Sequence, residues 1–352
     1  MKKLILAGLG VCLLALTLAG WTGNVTSTFA ATLEKKTVTI VDERGKHIKI
    51  CCPVERIVTL CPTAQEIVCA FGDGDKIVGH CSLYNFPSYI REKPVVADSP
   101  SRPNIELLLE QKPDVVLFDT HILKKSELVK KIEDAGVPVI VQRPHPENMV
   151  TIIKNIGLIL DKREKAKEIV DYIESYLNLI EERVGKLKPE EKPSVYMEAS
   201  WRKYCTPAGA SSTHPKIAAA GGINIAVGEP GTWPRVSPEW VVERNPDIII
   251  MPLTAKGKMM ENMKKRRDEI MSRPELKEVK AVKEGKVYII TWDVLCRLRY
   301  PVGLLYLAKW FHPDLFQDIN PTAVHEELIK ELYGTEEWQK AIETFEAFAY
   351  PE

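Results

Sequence analysis

Two sets of side chains in this sequence could do chemistry. The larger set is made of aromatic rings and guanidinium groups: Tyr84, Trp201, Arg202, Tyr204, Trp233, Arg235, Trp292, Arg297 and Arg299, with Asp293 beside Trp292. Rings stack on planar faces and guanidinium groups fork onto carboxylates, so the mixture suits a large, flat or anionic ligand better than a sugar. The smaller set is His80, His121 and His145, each just past an apolar run of strand type. Imidazoles converging on one rim could hold a transition metal directly, with Asp293 as a fourth ligand. No histidine-rich loop accompanies them, and solvated or locally bonded histidines are the simpler reading. The sequence has no glycine-rich phosphate loop, no recognisable Ser-His-Asp setting and no His-Glu-x-x-His. Recognition without catalysis, and without a cofactor of its own, is the expectation.

The elements that must position these groups are legible as alternating runs. Arg56 to Leu60, Asp114 to Phe118, Pro138 to Val141, Asp247 to Met251 and Lys286 to Ile290 are apolar strands, separated by helical patterns such as Ser126 to Ala135 and Val302 to Trp310. Strands of this kind indicate parallel sheets covered on both faces, an α/β fold. Ahead of them, Thr37 to Val41 and His47 to Ile50 alternate around an Asp42 to Gly45 turn, a hairpin signature. From Glu147 to about Leu187 there is no proline and the apolar period is helical. Its later part predicts about 25 residues of unbroken helix, roughly 37 Å, a rigid connector.

The arrangement predicted is two Rossmann-like lobes joined by a single long α-helix, with the ligand cleft between them. The N-terminal lobe spans 36–146, the connecting helix 147–187, the C-terminal lobe 192–319 and a helical extension 320–352. Ligands of open α/β sheets bind beyond the carboxyl ends of the strands. The cleft should therefore be lined by Cys61 to Thr63, His80 to Asn85, Asp119 to His121, Arg143, Ser211 and Ser212, together with the aromatic and arginine set.

Met1-Lys2-Lys3 followed by the uncharged apolar run Leu4 to Leu18 is a secretory signal pattern, with cleavage expected after Ala30. An exported protein, in a periplasm or on the outer face of a cytoplasmic membrane, follows. Leu18-Ala19-Gly20 is followed by Trp21 instead of a cysteine, which argues against a lipid tether. Without residues 1–30 the chain carries 46 basic and 48 acidic residues. That balance gives no field to attract nucleic acid, and none is expected as a partner. Seven of the eight cysteines lie beyond the signal and cannot all pair. Most read as small buried hydrophobes, with a disulfide involving Cys51 or Cys52 left open.

The chain resembles the helical-backbone class of ABC-importer solute-binding proteins, the family that handles iron(III) chelates, haem and cobalamin. The resemblance runs through Val54 to Glu66, Asp75 to Gly79, Tyr84 to Pro87, Pro103 to Glu106 and Lys112 to Leu117. It resumes at Ala220 to Ile225, Trp233 to Glu239, Asn245 to Ile249 and Pro301 to Pro313. It implies a monomer that captures a metal chelate, an iron(III) chelate or a corrinoid, and delivers it to a membrane permease. It further implies that Glu66 and Glu239, each in the first turns of a helix, are the exposed carboxylates that pair with permease arginines. Metal-inserting chelatases share a similar two-lobe architecture, but the export signal argues against such an enzyme.

Overall fold

The computed structural model describes residues 36–120 and 126–351. The expected signal segment 1–30 and His121 lie outside them. The chain opens with the expected hairpin, β1 (Lys36–Val41) antiparallel to β2 (His47–Cys52). Asp42 shapes the turn by accepting the backbone N–H groups of Arg44 and Lys46.

A five-stranded, wholly parallel sheet follows in the order β5-β4-β3-β6-β7. Its strands are β3 (Ile57–Leu60), β4 (Ile77–Cys81), β5 (Val95–Ala97), β6 (Val115–Asp119) and β7 (Val139–Gln142). Helices α1 (Pro62–Ala70), α2 (Ile105–Glu110) and α3 (Ser126–Asp134) lie between strands in the chain. Every residue of β3, β6 and β7 is buried, the burial that apolar runs without alternation require.

Two helices make the crossing, α4 (Pro146–Ile159) and α5 (Arg163–Val184). The expectation of one helix over 147–187 is corrected here. Leu160 to Lys162 break it, with Asp161 at φ +57°. Gly157 permits the tight corner, since a Cβ there would lie 2.6 Å from Ala166 Cβ. The long connector is α5, whose 22 residues span about 33 Å.

The second sheet has the order β12-β11-β10-β8-β9. Strands β8 (Ser194–Met197), β9 (Ile223–Asn224), β10 (Ile248–Leu253) and β11 (Val287–Thr291) are parallel. Helices α6 (His214–Ala219), α7 (Pro238–Arg244), α8 (Met259–Met271), α9 (Lys280–Lys283), α10 (Trp292–Cys296) and α11 (Tyr300–Phe311) are interleaved with and follow these strands. The C-terminal residues form α12 (Pro321–Tyr333), α13 (Thr335–Phe345) and the short β12 (Ala349–Tyr350), antiparallel to β11.

This extension does more than continue the second lobe. Tyr333 Oη donates to the Glu66 carbonyl at 3.1 Å, and the Glu337 carboxylate accepts from Ser88 N and Oγ, both at 2.7 Å. The tail is therefore a strap, held to the second sheet by β12 and to the first lobe by α12 and α13. One apolar core runs from Ile40 through α5 and α11 to Phe348, so connector and strap share it with both lobes. Cys52, Cys61, Cys69, Cys81 and Cys205 are buried thiols, as read, and none of the seven described cysteines is in a disulfide.

Candidate functional site

In each sheet the chain reverses its direction of growth beside a central strand, between β3 and β6 in the first and between β8 and β10 in the second. Loops leaving the two strands at such a point diverge and leave a crevice. A cavity of about 310 Å³ opens there, between the lobes. Pro62 and Thr63 at the start of α1, Asp119 at the end of β6, and Pro144 line it from the first lobe. Trp201, Ser212, Thr213, Lys216, Trp233, Trp292, Cys296 and Arg297 line it from the second. A larger cavity of about 520 Å³ lies at the opposite end of the second sheet, around Lys280, Tyr288 and Trp310, remote from the strand ends where ligands bind.

Three tryptophans form one corner of the cleft. Trp201 and Trp233 meet edge to face at 5.0 Å, Trp201 and Trp292 stack at 6.2 Å, and Trp233 and Trp292 meet edge to face at 6.1 Å. Backbone bonds from Thr206 to Pro234, Ala208 to Thr232 and Val236 to Tyr204 zip two loops together and bring Trp233 to Trp201, while β11 delivers Trp292. Trp201 keeps 60% of its surface exposed, a large apolar face left open at a cavity mouth.

Behind Arg297 lies a four-charge cluster that joins the lobes. Arg299 Nη2 donates to Glu66 Oε1 at 2.9 Å and its Nε to Glu66 Oε2 at 3.3 Å. Arg297 Nη1 bridges Asp293 Oδ1 at 2.7 Å and Glu66 Oε1 at 3.4 Å. Glu66 is 0% exposed and Arg299 1%. Arg299 also lies 4.2 Å over the Phe86 ring, and Arg297 5.9 Å over Tyr84. Gln65 seats that aromatic loop by donating to the Tyr84 and Phe86 carbonyls.

Several expected positions are corrected by this geometry. Glu66 is not an exposed carboxylate at a lobe tip: residues 63–70 of α1 are all buried, and its charge is committed to two arginines of the other lobe. Arg299 is likewise an interlobe tie instead of a cleft-lining group. Tyr204 faces the second core, where its ring packs beside Arg273 and its hydroxyl bonds Glu275 at 2.5 Å. Burial and that bond push its phenol pKa up. Arg202 and Arg235 are exposed and stand outside the cavity lining, and Tyr84 reaches the site only through Arg297. Trp201, Trp233, Trp292 and Arg297 are brought together in the cleft wall, with Asp293 bonded behind Arg297. Glu239 is exposed in the first turn of α7, capped by Ser237, and its own backbone N–H with the Ser237 hydroxyl lowers its pKa.

The histidines do not converge. His80 is on β4 and His145 follows β7, three strand spacings apart, or about 14 Å. Burial lowers the pKa of both, and among the described residues no three His, Cys, Asp or Glu side chains gather as a metal site. Lys216 is the cleft residue that the sequence reading missed. It is a single lysine at the start of a short helix, and no local pattern marks it.

Two α/β lobes meeting over a tryptophan-walled cleft define a ligand-capturing protein. Residues 57–294 match the periplasmic binding protein family, and the chain belongs to that family. It is similar to the uncharacterized ABC transporter substrate-binding lipoprotein YvrC of Bacillus subtilis, 27% identical over 328 residues, covering 90% of this chain and 100% of the relative. The vitamin B12-binding protein of Yersinia pestis is 24% identical over 198 residues, 56% of this chain and 69% of the relative. Among solved structures, the molybdate-bound periplasmic binding protein MolA of Haemophilus influenzae shares the fold, with a TM-score of 0.71 over 84% of this chain and 98% of that one, at 20% identity. Family and relatives are substrate-binding transport proteins, not enzymes. The chain is thus an extracytoplasmic solute-binding protein of the ABC-transporter kind.

Proposed function

We propose that this protein captures a metal chelate with a broad planar face, an iron(III) chelate or a corrinoid, and hands it to the permease of an ABC importer. The observation that carries the reading is the corner of Trp201, Trp233 and Trp292. Three rings held at fixed angles offer flat, polarisable surface at low entropy cost, which matches a macrocycle or an aromatic chelator better than a hydrated ion or a sugar. The similarity to a vitamin B12-binding protein supports the corrinoid end of this range. At about 310 Å³ the cavity is near the small end of ligand pockets, so one flank of such a ligand enters while the rest stays at the mouth beside exposed Trp201.

Delivery needs carboxylates on the permease-facing surface. Glu239 is available as it stands, whereas Glu66 can serve only if Arg297 and Arg299 release it. A melting panel of cyanocobalamin, haemin and ferric siderophores tests the reading, because a ligand that binds only the folded form raises Tm. A Tm rise with at least one of them, together with quenched tryptophan fluorescence, is expected. No shift with any of them, alongside a shift with a bare divalent metal, would overturn it.

A further inference from the structure

Lys216 is the anomalous charge of this molecule. Its residue surface is only 2% exposed, yet it lines the interlobe cavity. Its ammonium donates to the Ser212 carbonyl at 3.0 Å, and none of the described carboxylates lies within ion-pair distance of it. The other buried cations are compensated: Arg273 forks onto Glu198 at 2.7 and 2.8 Å, and Arg299 holds Glu66. A buried ion without a counter-ion costs several kcal/mol, so such a charge persists where something other than stability requires it.

The surroundings fit an anion. Thr63 and Pro62, which open α1, line the same cavity, and the first turn of α1 carries no acidic residue to occupy its positive end. Hydroxyl residues Ser212 and Thr213 are beside Lys216 in the lining. The charge also reaches the first lobe: burial and then the nearby Lys216 charge lower the pKa of His145. Among the ionisable residues that line the cavity, Lys216 and Arg297 are positive and Asp119 negative, and Arg297 is already shared by Glu66 and Asp293.

We infer that Lys216 anchors an oxyanion group of the ligand, a carboxylate or a phosphate, in the recess beside the tryptophan corner. This rests on the chelate reading and narrows it to ligands with an anionic arm next to their flat face. The group displaces no protein partner, and the Lys216 charge supplies a strong hydrogen bond, since charge-assisted bonds to oxyanions are about twice as strong as neutral ones.

Titrations of the wild type, Lys216→Met and Lys216→Gln with citrate and with inorganic phosphate, followed by melting and tryptophan fluorescence, test the inference. Citrate or phosphate should stabilise the wild type, and the larger response tells a carboxylate arm from a phosphate. Both variants should lose about tenfold to a hundredfold in affinity for that anion. Lys216→Met should melt no lower than the wild type without anion, because an uncompensated charge has been removed. Lys216→Gln keeps a donor for the Ser212 carbonyl and carries the test if the methionine variant does not fold. No response of the wild type to either anion, or equal responses in the variants, overturns the inference. Trp233→Ala assayed with cyanocobalamin, haemin and ferric siderophores separates the two claims. Flat-ligand capture lost with Trp233 but indifferent to Lys216 sinks only the anchor, and an anion response without flat-ligand capture sinks only the chelate reading.

Discussion

Trp201, Trp233 and Trp292 lie apart in the sequence, yet each is legible as a cleft residue because Trp201 and Trp233 fall in loops and Trp292 directly follows a strand. Lys216 and the burial of Glu66 were not legible, because a single side chain's direction depends on the packing of a helix against a different lobe. If the corner is the ligand platform, Trp233→Ala should weaken capture of a flat ligand by about one to three kcal/mol, read by calorimetry, while leaving Tm nearly unchanged. The histidines give a prediction in the opposite direction. Burial holds His80, His145, His312 and His325 below the usual imidazole value of 6.5. The unfolded chain therefore binds more protons below that pH, so the stability is fully present above it and is lost as pH falls. Tm should drop between about pH 7.5 and about pH 5.5, and His325→Phe should flatten the slope, since both ring nitrogens of His325 lack hydrogen-bond partners among the described residues and its ring packs on Trp338 and Phe348.

Among elements, the strands were the most legible because fully buried parallel strands leave continuous apolar runs, such as Ile248–Leu253. The break between α4 and α5 left no such mark. Leu160-Asp161-Lys162 contains neither proline nor glycine, and the turn depends on Asp161 adopting a left-handed conformation while Gly157 lets α5 approach. Gly157→Leu should cost about 1–3 kcal/mol by overpacking, measurable by denaturant melts, and Lys162→Ala should cost less. The helical extension at the C-terminus carries no local mark of its role, because that role is in contacts about 250 residues away in sequence, Ser88 to Glu337. Glu337→Ala should leave the Ser88 N–H and hydroxyl without their acceptor and lower stability by about 1–3 kcal/mol.

At the scale of the whole molecule, three ties cross between the lobes: the α5 connector, the C-terminal strap and the buried cluster of Glu66, Arg297, Arg299 and Asp293, the last two joined where Tyr333 bonds the Glu66 carbonyl. Wide hinge opening would have to expose a desolvated ion pair and unseat Tyr333 from the Glu66 carbonyl in the same movement. Ligand capture should therefore be a small adjustment at the tryptophan corner. X-ray scattering with and without ligand checks this: a chain of this size has a radius of gyration of about 20 Å, and no resolvable contraction is expected. The same cluster decides what Glu66 does. Glu66→Ala leaves Arg299 buried with only the longer contact to Asp293 at 3.8 Å and should cost about 3–5 kcal/mol, far more than removing an exposed carboxylate such as Glu239, which should leave Tm unchanged. If Glu239→Ala instead abolishes uptake in a reconstituted importer while ligand affinity is intact, the second lobe docks through Glu239. If Glu66→Gln then loses stability and gains scattering-detected flexibility, the first lobe's carboxylate is a latch between the lobes, held by Arg297 and Arg299.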